Sequence, residues 1–91
     1  MPNTQELREQ IESIDEEIID LIATRMEIAD ELAIEKKHSS QEYWDKDKEK
    51  EVINRYMELC EEVSLTEGDA KLIAEVILRI SKERQKHLYE E

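Results

Sequence analysis

The sequence predicts an all-α protein with one long helix and two shorter ones. Two observations carry this. The only proline is Pro2 and the only glycine is Gly68, so between them almost nothing but side-chain chemistry can interrupt a helix. The apolar residues are Ile, Leu, Val, Met and Ala, and they recur at steps of three and four, the period of an amphipathic helix.

The first helix has Asn3 or Thr4 as its cap, with Glu6 three residues beyond Asn3 to supply the return bond of a capping box. Its apolar stripe runs Leu7, Ile11, Ile14, Ile18, Leu21 or Ile22, Ile28 or Ala29, and Leu32, and fades at about Lys37. At ~1.5 Å per residue such a helix is roughly 50 Å long. Residues Ser39 to Trp44 break the pattern and read as a loop. Asp45 or Asp47 can cap a second helix, whose apolar face is Val52, Tyr56, Leu59 and Val63. A third begins at Thr66, with Asp69 three residues on and Gly68 in the first turn. It carries Leu72, Ile73, Val76, Ile77 and Ile80 towards the C-terminus. Tyr43 and Trp44 are expected to clamp the loop onto the helices. There is no internal repeat and no low-complexity linker, so residues 1–91 read as a single domain.

A chain of this size buries only about 60% of its unfolded surface, and its own core is marginal. One long helix also extends beyond the reach of two short ones. Pairing two chains side by side covers both stripes, and the expected assembly is an intertwined six-helix homodimer.

Charge narrows the function. A formal net charge of −12 argues against nucleic acid, whose phosphates need a basic footprint. An anionic substrate would need a few cations focused in one sheltered site. Cys60 is the only cysteine, which excludes an intrachain disulfide and a CxxC metal site and fits a reducing compartment. The start Met1-Pro2-Asn3-Thr4 lacks the apolar core of a signal peptide, and no run is long enough to span a membrane. The expected location is the cytoplasm.

The informative residues are polar ones on or beside the apolar stripe. Arg25 stands where the seam would place an aliphatic side chain. Lys36, eleven residues later, is about 20° away around the helix and roughly 16 Å along it, so the two can converge on one small anion. Arg8 precedes Arg25 by seventeen residues, about 100° off its face and roughly 25 Å away. It cannot join them within one helix, but Arg8 of a second, antiparallel chain can. Ser81 and Gln85 are one turn apart on the third helix, on the face given to Ile73 and Ile77. Asp45, Lys48 and Glu49 put a cation, acceptors and a helix N-terminus in one turn. Singly, each of these is ordinarily a solvated charge, a cap or a local bond. His38 and His87 are far apart and form no metal site with the carboxylates, and no nucleophile–base pair is present.

Jointly, these positions resemble a family. Leu7-Arg8-Glu9-Gln10-Ile11, Ile14-Asp15, Leu21-Ile22-Ala23-Thr24-Arg25 and Ala33 to Lys36 are similar to the long first helix of the all-helical chorismate mutases. The likeness continues through Asp45-Lys46-Asp47-Lys48-Glu49 to Ser81 and Gln85, without a gap from Leu7 to Gln85. No single motif is specific; the joint spacing is. The resemblance implies rearrangement of chorismate to prephenate, in phenylalanine and tyrosine biosynthesis, without a cofactor or a metal. It assigns the two carboxylates of chorismate to Arg25 and to Arg8 of the partner chain. Lys36 would contact a carboxylate and the ether oxygen, with Gln85 donating to the same oxygen. Glu49, with the backbone near Asp45, would hold the ring hydroxyl, and Ser81 would assist a carboxylate. Lys48 stands where the family most often has arginine, keeping the charge but losing the bidentate fork, so weaker substrate binding or a compensating contact is expected, with catalysis retained. Tyr43-Trp44 replaces the family's usual small or proline-containing approach to the second helix. Two other readings remain: an isochorismate pyruvate lyase on the same fold, and a noncatalytic helical dimerisation module.

Overall fold

The computed structural model describes residues 1–91 as three helices with no strand: α1 (Thr4–His38), α2 (Lys46–Glu62) and α3 (Glu67–Glu90). Each start follows from a capping side chain. The Asn3 side chain accepts from the Glu6 N–H at 2.9 Å. The return bond expected from Glu6 is not formed, so this is a plain N-cap rather than a capping box. Asp45, not Asp47, caps α2, accepting from the backbone N–H groups of Asp47 and Lys48 at 2.9 and 3.3 Å. At α3 the full capping box forms between Thr66 and Asp69, with both bonds at 3.0 Å.

The helix ends are less conventional. After α1, Gln41 N–H bonds Lys36 C=O and Ser40 N–H bonds Lys37 C=O; after α2, Leu65 and Ser64 repeat the pattern to Cys60 and Glu61. These are Schellman ends, and their left-handed residue is serine rather than glycine, Ser40 at φ 58° and Ser64 at φ 63°. The conformation costs a Cβ-bearing residue about 1–2 kcal/mol, which the paired carbonyls offset.

The α3 helix packs against both α1 and α2, while α1 and α2 do not approach each other. The core along α3 is Ala70, Ala74, Ile77, Leu78, Ser81 and Gln85, a run at steps of three and four. From α1 it receives Met26, Ala29 and Ala33, and from α2 chiefly Cys60, with Val52, Ile53, Tyr56 and Met57 half-buried. Four of these positions are alanine, which lets the helix axes come close. Arg84 grips Asp30 from α3 to α1 through two bonds of 3.0 and 2.5 Å. The Arg84 guanidinium holds the Asp30 carboxyl below its usual range.

Several expected apolar faces therefore turn elsewhere. Ile28, Leu32, Leu59, Val63, Leu72, Ile73, Val76 and Ile80 are exposed, and Ile73 does not share the face of Ser81 and Gln85. No residue from Thr4 to Thr24 is buried; Ile11, Ile14 and Leu21 remain 56, 54 and 70% exposed. The radius of gyration is 16.5 Å, against about 12 Å for a compact domain of this length, and the longest dimension, 57 Å, is set by α1. Half of α1 stands free with an apolar stripe along it. No helix is long and apolar enough to cross a membrane.

Candidate active site

Because α1 and α2 both lean on α3 without touching each other, a gap remains between them. It forms an open cleft of about 1170 Å³, with Leu78, Ser81 and Gln85 of α3 beneath it and the 39–45 loop across one end. Of the eight site residues expected from the sequence, seven line this cleft: Arg25 and Lys36 from α1, Asp45, Lys48 and Glu49 at the start of α2, and Ser81 and Gln85 from α3. Arg8 does not; it is exposed on the free half of α1.

Lys36 is the centre of the polar network. Its ammonium donates to the Tyr43 carbonyl at 3.0 Å and to Gln85 Oε1 at 2.8 Å. Gln85 Nε2 in turn donates to Ser81 Oγ at 2.9 Å. Ser81 and Gln85 are each only 3% exposed, so the network has a rigid base. An ammonium has three protons and a primary amide two, which leaves one N–H on each of Lys36 and Gln85 without a partner in the chain. Burial pushes the Lys36 pKa below the usual lysine value of 10.5, and the nearby Asp45 carboxylate offsets part of that shift.

The loop fixes the other end. Tyr89 of α3 donates its hydroxyl to the Gln41 carbonyl at 2.6 Å, and its ring stacks at a tilt on Tyr43, with centroids 6.0 Å apart. The expected clamp by Tyr43 and Trp44 is present. Trp44 Nε1 donates to Glu49 Oε2 at 2.7 Å, and Lys82 lies over the indole with its nitrogen 5.6 Å from the ring centroid. Lys48 lines the cleft, but its ammonium pairs with Glu51 one turn along α2, at 3.2 Å.

Several contributors were not legible in the sequence. The Tyr43 carbonyl is a backbone group, and Lys82 is one of thirteen basic residues with nothing in its spacing to single it out. Together with Lys46, they complete the electrostatics. Five cationic side chains, Arg25, Lys36, Lys46, Lys48 and Lys82, face three carboxylates, Glu42, Asp45 and Glu49, across the lining. On a chain of net charge −12 the cleft lining carries an excess of positive charge, as an anionic ligand requires.

Comparison with known proteins gives this arrangement a family. The model of the chorismate mutase type II family matches residues 7–86. The chorismate mutase of Methanocaldococcus jannaschii is 31% identical over 86 residues, spanning 94% of this chain and 87% of that protein. No solved structure shows significant similarity to the chain. A match over nearly the whole chain, on residues that fold into one cationic cleft, shows that the chain belongs to the chorismate mutase type II family.

Proposed function

We propose that the chain isomerises chorismate to prephenate as an intertwined six-helix homodimer in the cytoplasm, with Arg8 of one chain completing the cleft of the other. The observation that carries this reading is the cleft itself. It gathers seven of the eight expected site residues on one chain and leaves a side open, while the eighth stands on a helix whose apolar stripe has no cover. An antiparallel second copy of α1 would close the cleft and bury that stripe together. Residues 1–91 then act as one domain, with phenylalanine and tyrosine biosynthesis as its pathway.

The reaction is a Claisen rearrangement: the carbon–oxygen bond of the enolpyruvyl ether breaks as a carbon–carbon bond forms within the same molecule. No proton is transferred and no covalent intermediate forms. The site has two tasks. It holds the substrate's two carboxylates so that the reacting carbons meet, which Arg25 and the partner's Arg8 do as opposed cations. It also supplies positive potential where the ether oxygen gains negative charge, which suits the free N–H groups of Lys36 and Gln85. Because that charge is larger in the transition state than in the substrate, these donors favour the former. Ser81, through Gln85, holds the amide in place and assists a carboxylate. Glu49 and the backbone at Asp45 take the ring hydroxyl, and Lys48 must leave Glu51 to reach substrate.

Loss of chorismate absorbance with purified protein, followed by identification of the product, tests the activity. Prephenate is expected. Pyruvate released from isochorismate would identify a lyase, and no turnover by a folded dimer would identify a noncatalytic module. The trans arrangement has its own test. Arg8→Ala and Lys36→Ala chains should each be nearly inactive alone. Mixed at equal amounts and refolded, half of the dimers are hybrids carrying one intact site of two, so about a quarter of wild-type activity should return. No recovery would mean that Arg8 acts within its own chain, and a fully active Arg8→Ala chain would mean that Arg8 takes no part. Lys36 also predicts a pH limb. The ammonium is the active form and its pKa is depressed, so kcat/KM should fall as pH rises through a value below 10.5. A Lys36→Gln variant, whose donor does not titrate, should lose that limb.

A further inference from the structure

The geometry points to Trp44 as a positioning residue for Glu49: it fixes the carboxylate in the orientation from which Glu49 receives the substrate's ring hydroxyl. This rests on the reading of the cleft given above. The bond from Trp44 Nε1 to Glu49 Oε2, at 2.7 Å, is the only hydrogen bond that the Glu49 side chain makes. An indole N–H is a donor and nothing else, so it occupies one carboxylate oxygen and leaves the other free to accept. The indole is itself held, half-buried, with the nitrogens of Lys82 and Lys36 at 5.6 and 6.0 Å from its ring centroid.

What makes the tether necessary lies beside the cleft. A second, smaller cavity of about 210 Å³ shares Trp44, Glu49 and Lys82 with the main one, and its lining adds Arg79. Glu49 thus borders two spaces, one for substrate and one whose lining holds Arg79, the carboxylate of Glu75, and Lys82, which also faces the main cleft. The indole lines both spaces, and its N–H fixes the carboxylate at their shared wall. Without it, Glu49 is free to turn to Arg79, and the ring hydroxyl loses its acceptor. Trp44 therefore acts on the substrate through Glu49.

A double-mutant cycle in the full-length protein tests this. Trp44→Phe should lower kcat/KM for chorismate about tenfold when Glu49 is present, the scale of one hydrogen bond to a charged group. In a Glu49→Ala background the same substitution should change it by less than about twofold, because the residue it acts through is gone. A substrate analogue lacking the ring hydroxyl should likewise be insensitive to Trp44→Phe. Phenylalanine is also smaller than tryptophan, so biosynthetic replacement of the indole by its benzothiophene counterpart, the same shape without the N–H, is the second variant. It should reproduce the loss. Full activity with the benzothiophene, or an equal loss with and without Glu49, would mean that Trp44 only shapes the loop and would overturn the proposal. A neutral Trp44→Phe beside a defective Glu49→Ala would overturn it too, while leaving the site reading intact. A harmless Glu49→Ala would instead sink the role given to Glu49 in that reading, and the tether with it.

Discussion

Lys36→Ala should lower kcat/KM for chorismate by roughly 10²–10³-fold or more, the loss that follows removal of one preorganised donor to a developing oxyanion. The effect should fall on kcat as well as KM, because in the proposed role the ammonium's free N–H meets charge that appears during the reaction. The fold should survive. Lys36 lies outside the apolar core, and its removal relieves the cost of a partly desolvated charge while freeing the Tyr43 and Gln85 oxygens. Circular dichroism and size exclusion should therefore show an unchanged helical dimer. Near-normal turnover by this variant would sink the placement of the ether oxygen.

Ile14→Asp combined with Ile18→Asp should abolish the dimer and the fold together. In the isolated chain these side chains are 54 and 48% exposed and belong to no core, so a protein that folds as a monomer would accept the change with little loss. In a dimer that buries the free half of α1, the same substitutions place two carboxylates one turn apart in an apolar interface, at several kcal/mol each. That is comparable with the whole stability of a domain this small. Loss of helical signal coincident with loss of dimer is the expected outcome. A stable helical monomer would contradict the interlocked assembly.

Much of this was legible because helices write themselves in short-range code. The caps at Asn3, Asp45 and Thr66, the 39–45 loop, and the convergence of Arg25 with Lys36 all follow from spacing along one helix or chemistry within one turn. What failed did so where a choice depended on other elements. Ile73 and Ile77 share a period, but only Ile77 is buried, because α3 has to face α1 and α2 at once along a single ridge. Leu59 and Val63 lose to Ile53 and Cys60 on α2 for the same reason. Both interhelical ends were harder to see than usual, since serine occupies the left-handed positions where glycine would mark them. Of the residues taken from the family register, seven line the cleft and Arg8 does not. The Tyr43 carbonyl and Lys82 were not legible, as a backbone oxygen leaves no trace in sequence and a lysine among many carries no signal.

The place of Trp44 in the cleft wall has an optical consequence. It is the only tryptophan of the chain, so the tryptophan emission, separable from that of the three tyrosines by excitation at long wavelength, originates at the cleft. The indole has two ammonium nitrogens at 5.6 and 6.0 Å from its ring centroid and donates to a carboxylate, and its excited state responds to each of them. A ligand that displaces water from the cleft or redirects Lys36 changes the colour and intensity of that emission before any bond is broken. Occupancy can thus be followed apart from turnover, even in variants whose chemistry has stopped.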